Sequence, residues 1–314
     1  MKFKNRGSRA SKEGFSEGLL ELGRKYDNVI SLGADISASV GMDAFAKAFP
    51  ERFFSLGIAE QNCIGVAAGL ALSGKVPVFS TYGVFAGLRT TDQVRISLCY
   101  NNVHAIIGGA HAGLSVGPDG ATHQALEDIA IMRVLPNMTI LSPADATQAR
   151  LATIAAYEQC NGPVYVRFGR AAFPDFTNRD GNFEVGKSQQ MREGKDISII
   201  ATGHMVWEAL LAAEKLKQHN IEARVINMYS IKPLDKNAIL QAARETKAIL
   251  TAEEHQITGG LGSAIAEVVV QNHPVKMAFV GMQDRFGESG EPGELMKKHG
   301  LTASSIIRKV KELL

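Results

Sequence analysis

The feature that most restricts what this chain can fold into is a rhythm. Short apolar runs alternate with helical stretches of ten or more residues, and the series occurs twice. In the first half, residues 28–32, 53–56, 76–81, 103–108, 139–141 and 164–168 read as strands, bounded by turn residues and rich in Val, Ile and Phe. Residues 11–23, 85–100, 123–135 and 144–160 carry helical spacing, as does the stretch opening at Glu60, and the one at 123–135 stops before Pro136. Strands separated by helices pair in parallel through crossovers, so the expected architecture is α/β, a mostly parallel sheet covered on both faces. Over 170–192 the rhythm lapses into Pro, Asp, Asn, Gly and Lys, which reads as a linker. It resumes with strands at 197–201, 223–228, 248–252 and 276–280, helices at 206–219, 235–244 and 262–271, and a helical stretch over 293–314. Two domains are expected, 1–175 and 193–314, joined by a linker over 176–192; 314 residues suit two domains at roughly 150 each.

Charge and cysteine usage exclude several classes. With 34 basic and 32 acidic residues the net charge is +2, too small to suggest nucleic acid or a membrane surface as partner. No apolar run reaches the roughly 18 residues that a membrane span requires. Cys63, Cys99 and Cys160 are odd in number and widely spaced, which fits reduced thiols in a cytoplasm better than a disulfide framework. The first twelve residues carry Lys2, Lys4, Arg6, Arg9 and Lys12 with no acid, but lack the apolar core of a secretory signal. They are expected to form a flexible basic arm.

Two stretches carry chemistry. Phe53 to Asn62 reads as a short buried strand, a turn at Gly57, and then a helix whose residues from Cys63 to Leu72 are small and apolar all round, as in a buried helix. Glu60 stands at the mouth of that helix. A buried carboxylate needs a partner or a proton, so Glu60 is either a cap stabilised by the helix dipole or a working acid. The second stretch, His111 to Gln124, leaves the 103–108 strand, and α/β folds place their chemistry at such strand ends. Gly113, Gly117, Pro118 and Gly120 keep it compact around His111, Asp119 and His123. The spacing of the two histidines fits no zinc pattern, and no cysteine lies nearby. Two further features read as structural. Gly259-Gly260-Leu261-Gly262 lacks the full dinucleotide fingerprint and suits tight strand-to-helix packing. Glu253-Glu254-His255 suits a polar cluster at a domain or subunit contact.

Gly-Ile-Ala-Glu-Gln-Asn at 57–62 and Gly-Pro-Asp-Gly-Ala-Thr-His-Gln at 117–124, in this order, resemble the transketolase family of thiamine diphosphate enzymes. The resemblance continues through Val134-Leu135-Pro136-Asn137-Met138 and Ser142-Pro143-Ala144-Asp145 and covers nearly the whole chain. It implies a pyrimidine-binding domain followed by the family's C-terminal domain. It also implies a thiamine diphosphate cofactor, whose reactive carbon loses a proton, attacks a ketose and carries a two-carbon unit between sugar phosphates.

By resemblance Glu60 is the acid that hydrogen-bonds the cofactor's aminopyrimidine ring and drives its amino group to act as a base, a task suited to a carboxyl with a raised pKa. Tyr82 and Phe85 match the aromatic positions that hold the ring, with Tyr82 where a Phe is common. Asp35 matches an Asp close to the thiazolium. His123 matches a histidine placed to shuttle protons at the reacting carbon. His111, Arg170 and Ser39 match residues that hold the sugar phosphate, and Asp119 one that contacts a substrate hydroxyl. Where the family has a further phosphate-binding Arg near the N-terminus, this chain has Lys12, which supplies charge without the planar fork; Arg9 is an alternative that could reach in.

A larger departure concerns the diphosphate. The family binds it, with Mg²⁺, through Gly-Asp-Gly and a later Asn on a domain that precedes this one, and Gly-Asp-Gly does not occur here. No metal ligand is therefore assigned in this chain. The resemblance implies the C-terminal subunit of a split transketolase, working with a separate Gly-Asp-Gly-bearing subunit in a two-plus-two assembly around a homodimer. Three other readings stay open: a beta-type subunit of a 2-oxo-acid dehydrogenase, a deoxyxylulose-phosphate synthase-like protein, and a non-catalytic scaffold subunit. His111 and the 119–124 motif favour sugar-phosphate chemistry.

Overall fold

A computed structural model of the chain describes residues 4–314. It contains two α/β units. The sheet of the first has seven strands in the order Ser230–Lys232, Thr139–Leu141, Val164–Arg167, Ile106–Ala110, Val76–Tyr82, Val29–Gly33 and Phe53–Ser55. All pairs are parallel except the outermost, where Ser230–Lys232 returns from the second half and runs antiparallel beside Thr139–Leu141. The helices Ser11–Lys25 and Ala146–Glu158 cover one face, burying Phe15, Leu19, Ala152 and Ala155 over Val78, Ile106 and Val166. The other face carries Glu60–Leu72 and the helical segments of 85–100, with Cys63, Ile64, Ala86, Val94 and Leu98 against Leu32, Phe79 and Ile107.

The second sheet has the order Lys276–Met282, Ala248–Gln256, Ile197–Ala201, Ala223–Asn227 and Gln189–Arg192, again parallel but for its last strand. Met205–Lys217 and Ala303–Leu313 pack one face, Lys236–Glu245 and Leu261–Asn272 the other. Each central strand is buried along its whole length, which is why these strands read as continuous apolar runs and not as alternation. Among the described residues no helix is long and apolar enough to cross a membrane.

Several expectations change. Residues 53–56 form no buried strand: Phe53–Ser55 lies at the sheet edge with Phe54 and Ser55 exposed. The Glu60–Leu72 helix is covered on one side only, since Gln61, Asn62, Gly65, Gly69 and Leu72 are exposed and a Cβ on Gly65 or Gly69 would meet nothing. The basic arm is docked from Arg6 onward, while Lys4 is exposed and Lys2 lies outside the described residues. Ser8–Ala10 pairs antiparallel with Ala172–Pro174, Arg6 donates to Thr147 and Thr177, and Arg9 pairs with Glu13, Glu17 and Asp175. Arg9 is thereby committed elsewhere and does not reach in beside Lys12. The expected helix at 123–135 begins only at Asp128, because Gln124 spends its amide on the carbonyls of Leu114 and Glu288. The stretch 85–100 is helical but contains π turns. Thr90 and Thr91 donate to the carbonyls of Ala86 and Gly87, competing with the backbone ladder.

The units meet through buried polar groups. Asp128 accepts from the Tyr165 hydroxyl and the Arg167 guanidinium, each at 2.8 Å, and Arg167 also donates to the Ala125 and Glu254 carbonyls. Glu254 accepts from the Ser115 amide and lies 3.5 Å from His204. Glu253 caps the Leu261–Asn272 helix, accepting from the amides of Leu261 and Gly262 at 2.7 and 2.8 Å. A side chain at Gly260 would drive a Cβ to 2.1 Å from the Glu253 carboxylate, so this glycine run serves close packing. Glu253, Glu254 and His255 thus stand at the contact between the two units.

Candidate active site

Most chemistry-bearing residues of the first unit follow the carboxyl ends of its parallel strands, where α/β folds open a crevice. Asp35 follows Val29–Gly33, Tyr82 ends Val76–Tyr82, His111 follows Ile106–Ala110, and Arg170 follows Val164–Arg167. Glu60 comes after the Phe53–Ser55 edge, past the turn at Gly57, where φ is +75°.

Glu60 is 3% exposed and stands at the first position of its helix. Its carboxylate is held by Arg89, whose Nη1 donates to both oxygens at 3.0 and 2.9 Å. The rings of Tyr82 and Phe85 lie 5.7 Å apart, centroid to centroid. His111 packs on Tyr82 at 4.2 Å, and His123 stands edge-on to both aromatic rings at 5.5 Å. Tyr82 donates its hydroxyl to Ser39 at 3.2 Å, and His123 Nδ1 contacts the Thr122 hydroxyl at 2.9 Å. Arg170 donates to Asp119 at 2.6 Å and to the Val116 carbonyl. Because Arg89 also lies over the Phe85 ring, the structure brings Glu60, through Arg89, with Tyr82, Phe85, His111, His123 and Ser39 into one chain of contacts, and Arg170 pairs with Asp119 of the 111–124 loop. Lys12 sits in the first turn of Ser11–Lys25 and joins the cluster through its charge on His111. Asp35 is exposed on its loop, in left-handed backbone with φ +64°.

The second unit shapes the 111–124 loop. Gly113 and Gly120 hold φ of +86° and +73°, and a Cβ on either would strike Glu254 or Ser289 at about 2.5 Å. The glycines of this stretch are therefore contact points for the second unit as well as turn formers.

His111 is buried, adopts φ +55°, and its Nδ1 has no hydrogen-bond partner among the described residues. Burial, then the nearby charge of Arg170, lowers its pKa to about 4; Asp119 opposes, while Lys12 and His123 add to the fall. The ring is neutral at physiological pH and can donate from one nitrogen. Between pH 4 and 6.5 the unfolded chain protonates this histidine and the native chain does not. The unfolded state then binds more protons, so stability rises with pH across that window. Glu253, raised by burial to about 7, acts in the opposite direction above pH 4.5. The comparison of variants isolates His111: His111→Asn, whose side chain tolerates the left-handed backbone, should be roughly 3 kcal/mol less acid-sensitive than wild type between pH 7 and 4. Urea denaturation at the two pH values measures it, and equal acid losses in both proteins would count against a neutral buried His111.

A flat heteroaromatic ring with a nitrogen that needs a carboxyl finds both requirements here, in Phe85 with Tyr82 and in Glu60. The residues present fit the aminopyrimidine end of thiamine diphosphate. Among the described residues no group of three or more His, Cys, Asp or Glu is placed to hold a metal ion. Arg89 is the residue that sequence reasoning missed. Its signal was a cation in a stretch read only as a helix, two residues past the buried Gly87.

Comparison with known proteins matches residues 8–175 to the transketolase pyrimidine binding domain and 186–306 to the transketolase C-terminal domain. A putative transketolase C-terminal section from Methanocaldococcus jannaschii is 44% identical, covering 96% of this chain and 95% of its own length. A 6-deoxy-6-sulfo-D-fructose transketolase subunit from Clostridium sp. (strain MSTE9) is 42% identical, covering 94% and 91%. A solved structure described as a split gene transketolase, inactive beta4 tetramer, superimposes with a TM-score of 0.90 at 44% identity, covering 98% of this chain and 99% of that one.

Proposed function

The chain belongs to the transketolase family, and we propose that it is the C-terminal subunit of a split transketolase, active only with a separate subunit that binds the diphosphate and Mg²⁺. The observation that carries this reading is the buried Glu60 carboxylate, joined through the Arg89 guanidinium to the face of the Phe85 ring, with His123 edge-on to Phe85 and Tyr82. When bound, thiamine diphosphate supplies the carbon nucleophile that accepts and passes on a two-carbon ketol unit. Glu60 hydrogen-bonds the ring nitrogen of the aminopyrimidine and so tunes its basicity. Phe85 and Tyr82 hold the ring between apolar surfaces and exclude water. His123, partly open to solvent, would move protons to and from the substrate hydroxyls, and Asp35 would serve the thiazolium side of the cofactor. His111, Arg170, Ser39 and Lys12 bind the terminal anion of the sugar, and Asp119 orients both Arg170 and a substrate hydroxyl.

An uncovered apolar surface supports the partner reading. Phe54, Ile58, Leu72, Leu88, Ile96 and Tyr100 are each at least 45% exposed around the open side of the Glu60–Leu72 helix. Monomers seldom leave such a surface wet, and two-fold pairing is the commonest way to cover one. A homodimer within a two-plus-two assembly would bury it beside the cofactor ring.

The Arg170–Asp119 pair is exposed and contributes little to stability, which leaves its guanidinium available to an anion. Losing one charge-assisted contact to a phosphate costs about 1.5–3 kcal/mol, or roughly ten- to a hundredfold in affinity. Arg170→Ala in the assembled enzyme should raise KM for phosphorylated sugars by that factor and leave unphosphorylated ones nearly unchanged. An equal effect on both would make Arg170 structural. The subunit reading itself is tested by reconstitution with a Gly-Asp-Gly-bearing chain.

A further inference from the structure

Arg89 occupies both groups that an aminopyrimidine ring needs. Its guanidinium lies over the Phe85 ring, with Cζ 4.1 Å from the centroid, while Nη1 donates to both oxygens of Glu60. A guanidinium is planar, stacks on aromatic faces and presents donors to a carboxylate. An aminopyrimidine is also planar, stacks on the same face and meets the same carboxylate. We propose that Arg89 is an internal placeholder for the cofactor ring: it satisfies Glu60 and covers Phe85 in the free chain, and withdraws when the ring arrives. The proposal rests on the reading of Glu60 and Phe85 given above.

The local structure suits a side chain that leaves. Glu60 is almost fully buried, so without a partner the free chain would carry an uncompensated carboxylate in an apolar wall. Arg89 is different, since 45% of its side chain is already in solvent and can return to water at small cost. Among the described residues Glu60 is its only acidic partner, so no second ion pair holds the guanidinium in place. Its backbone stays fixed while the side chain moves: the Arg89 carbonyl accepts from Gln61 at 3.1 Å, and the following Thr90 is buried and bonded to Ala86. The π turns over 85–100 place Arg89 at the end of the first π segment, where the ladder is already irregular. Cofactor binding then exchanges one Glu60 partner for another, so the pair lowers affinity and protects the site in the unassembled subunit.

The test uses the full chain, alone and assembled with the Gly-Asp-Gly-bearing subunit, as wild type, Arg89→Met and Arg89→Lys. Calorimetric titration with thiamine diphosphate and Mg²⁺ gives the affinity of the assembly, and thermal denaturation gives the Tm of the free chain. Arg89→Met should bind the cofactor about tenfold more tightly than wild type, since no pair must be broken. Its free chain should melt at a lower temperature, and saturating cofactor should erase that difference in the assembly. Arg89→Lys, which keeps the charge and loses the planar stack, should also bind more tightly, by a smaller factor; it serves if Arg89→Met does not fold. Normal wild-type binding with weaker or unchanged binding by the variants would overturn the placeholder alone. Absence of binding by the wild-type assembly would overturn the reading of Glu60 and Phe85 with it.

Discussion

Glu60→Gln should slow hydrogen–deuterium exchange at C2 of bound thiamine diphosphate by orders of magnitude, on the scale of ~10²–10⁴-fold that one positioned acid–base group contributes. The substitution keeps the side chain's length and one acceptor oxygen. It removes the carboxyl that, on the proposed reading, hydrogen-bonds the aminopyrimidine nitrogen and takes part in its protonation. The turn at Gly57 delivers the chain from the sheet edge to the first position of a helix and so sets Glu60 there, with the buried Cys63 and Ile64 following it. In the free chain the variant also loses the charge that Arg89 pairs with, but Arg89 is half in solvent and the loss to stability should be modest. Circular dichroism and Tm should therefore remain close to wild type while exchange collapses. Near-normal exchange in a folded Glu60→Gln assembly would reduce Glu60 to a helix cap.

The parts of this fold that were legible in the sequence are the local ones. Strands such as Ile197–Ala201 and Ala223–Asn227 are buried on both faces, so their identity is written in consecutive apolar residues. Helices such as Ala146–Glu158 and Lys236–Glu245 begin at Asp145 and Asp235, whose side chains accept from the amides of Gln148 and Ala238, a cap that a reader can place. The hidden parts depend on residues distant in sequence. Nothing in Ser230–Lys232 announces that it joins the sheet of the other unit, and nothing in Ser8–Ala10 announces Ala172–Pro174 as its partner. The all-apolar look of residues 63–72 was read as burial within this chain. It marks a surface the chain leaves uncovered, and composition cannot distinguish the two. Arg89 was missed for a related reason: its pairing with Glu60 spans 29 residues and depends on π turns that the Thr90 and Thr91 hydroxyls create. The motif residues were recognisable because the family's motifs set residue types at fixed spacing, whereas a partner of a motif residue carries no such mark.

The chain purified alone should be a folded homodimer without ketol-transfer activity, and it should bind thiamine diphosphate poorly. What decides this is which end of the cofactor each side chain can reach. On the proposed reading Glu60, Tyr82 and Phe85 serve the aminopyrimidine, and Arg170, His111 and Lys12 serve the sugar's anion. Mg²⁺ requires near-octahedral oxygen and usually takes one or two protein carboxylates besides phosphate and water. The expected source of those ligands is a Gly-Asp-Gly-bearing subunit, which would also neutralise the diphosphate. The exposed apolar residues Phe54, Ile58, Leu72, Leu88, Ile96 and Tyr100 form the surface that, on the proposed reading, a second chain covers. Activity should appear only when the Gly-Asp-Gly chain is added, and should saturate near one to one. Substituting Ile58→Asp on the uncovered face should abolish that gain by weakening assembly, with the monomer's fold retained. Robust ketol transfer by the isolated chain with thiamine diphosphate and Mg²⁺ would overturn the split-enzyme reading, because the ligands for the diphosphate would then have to lie within these residues.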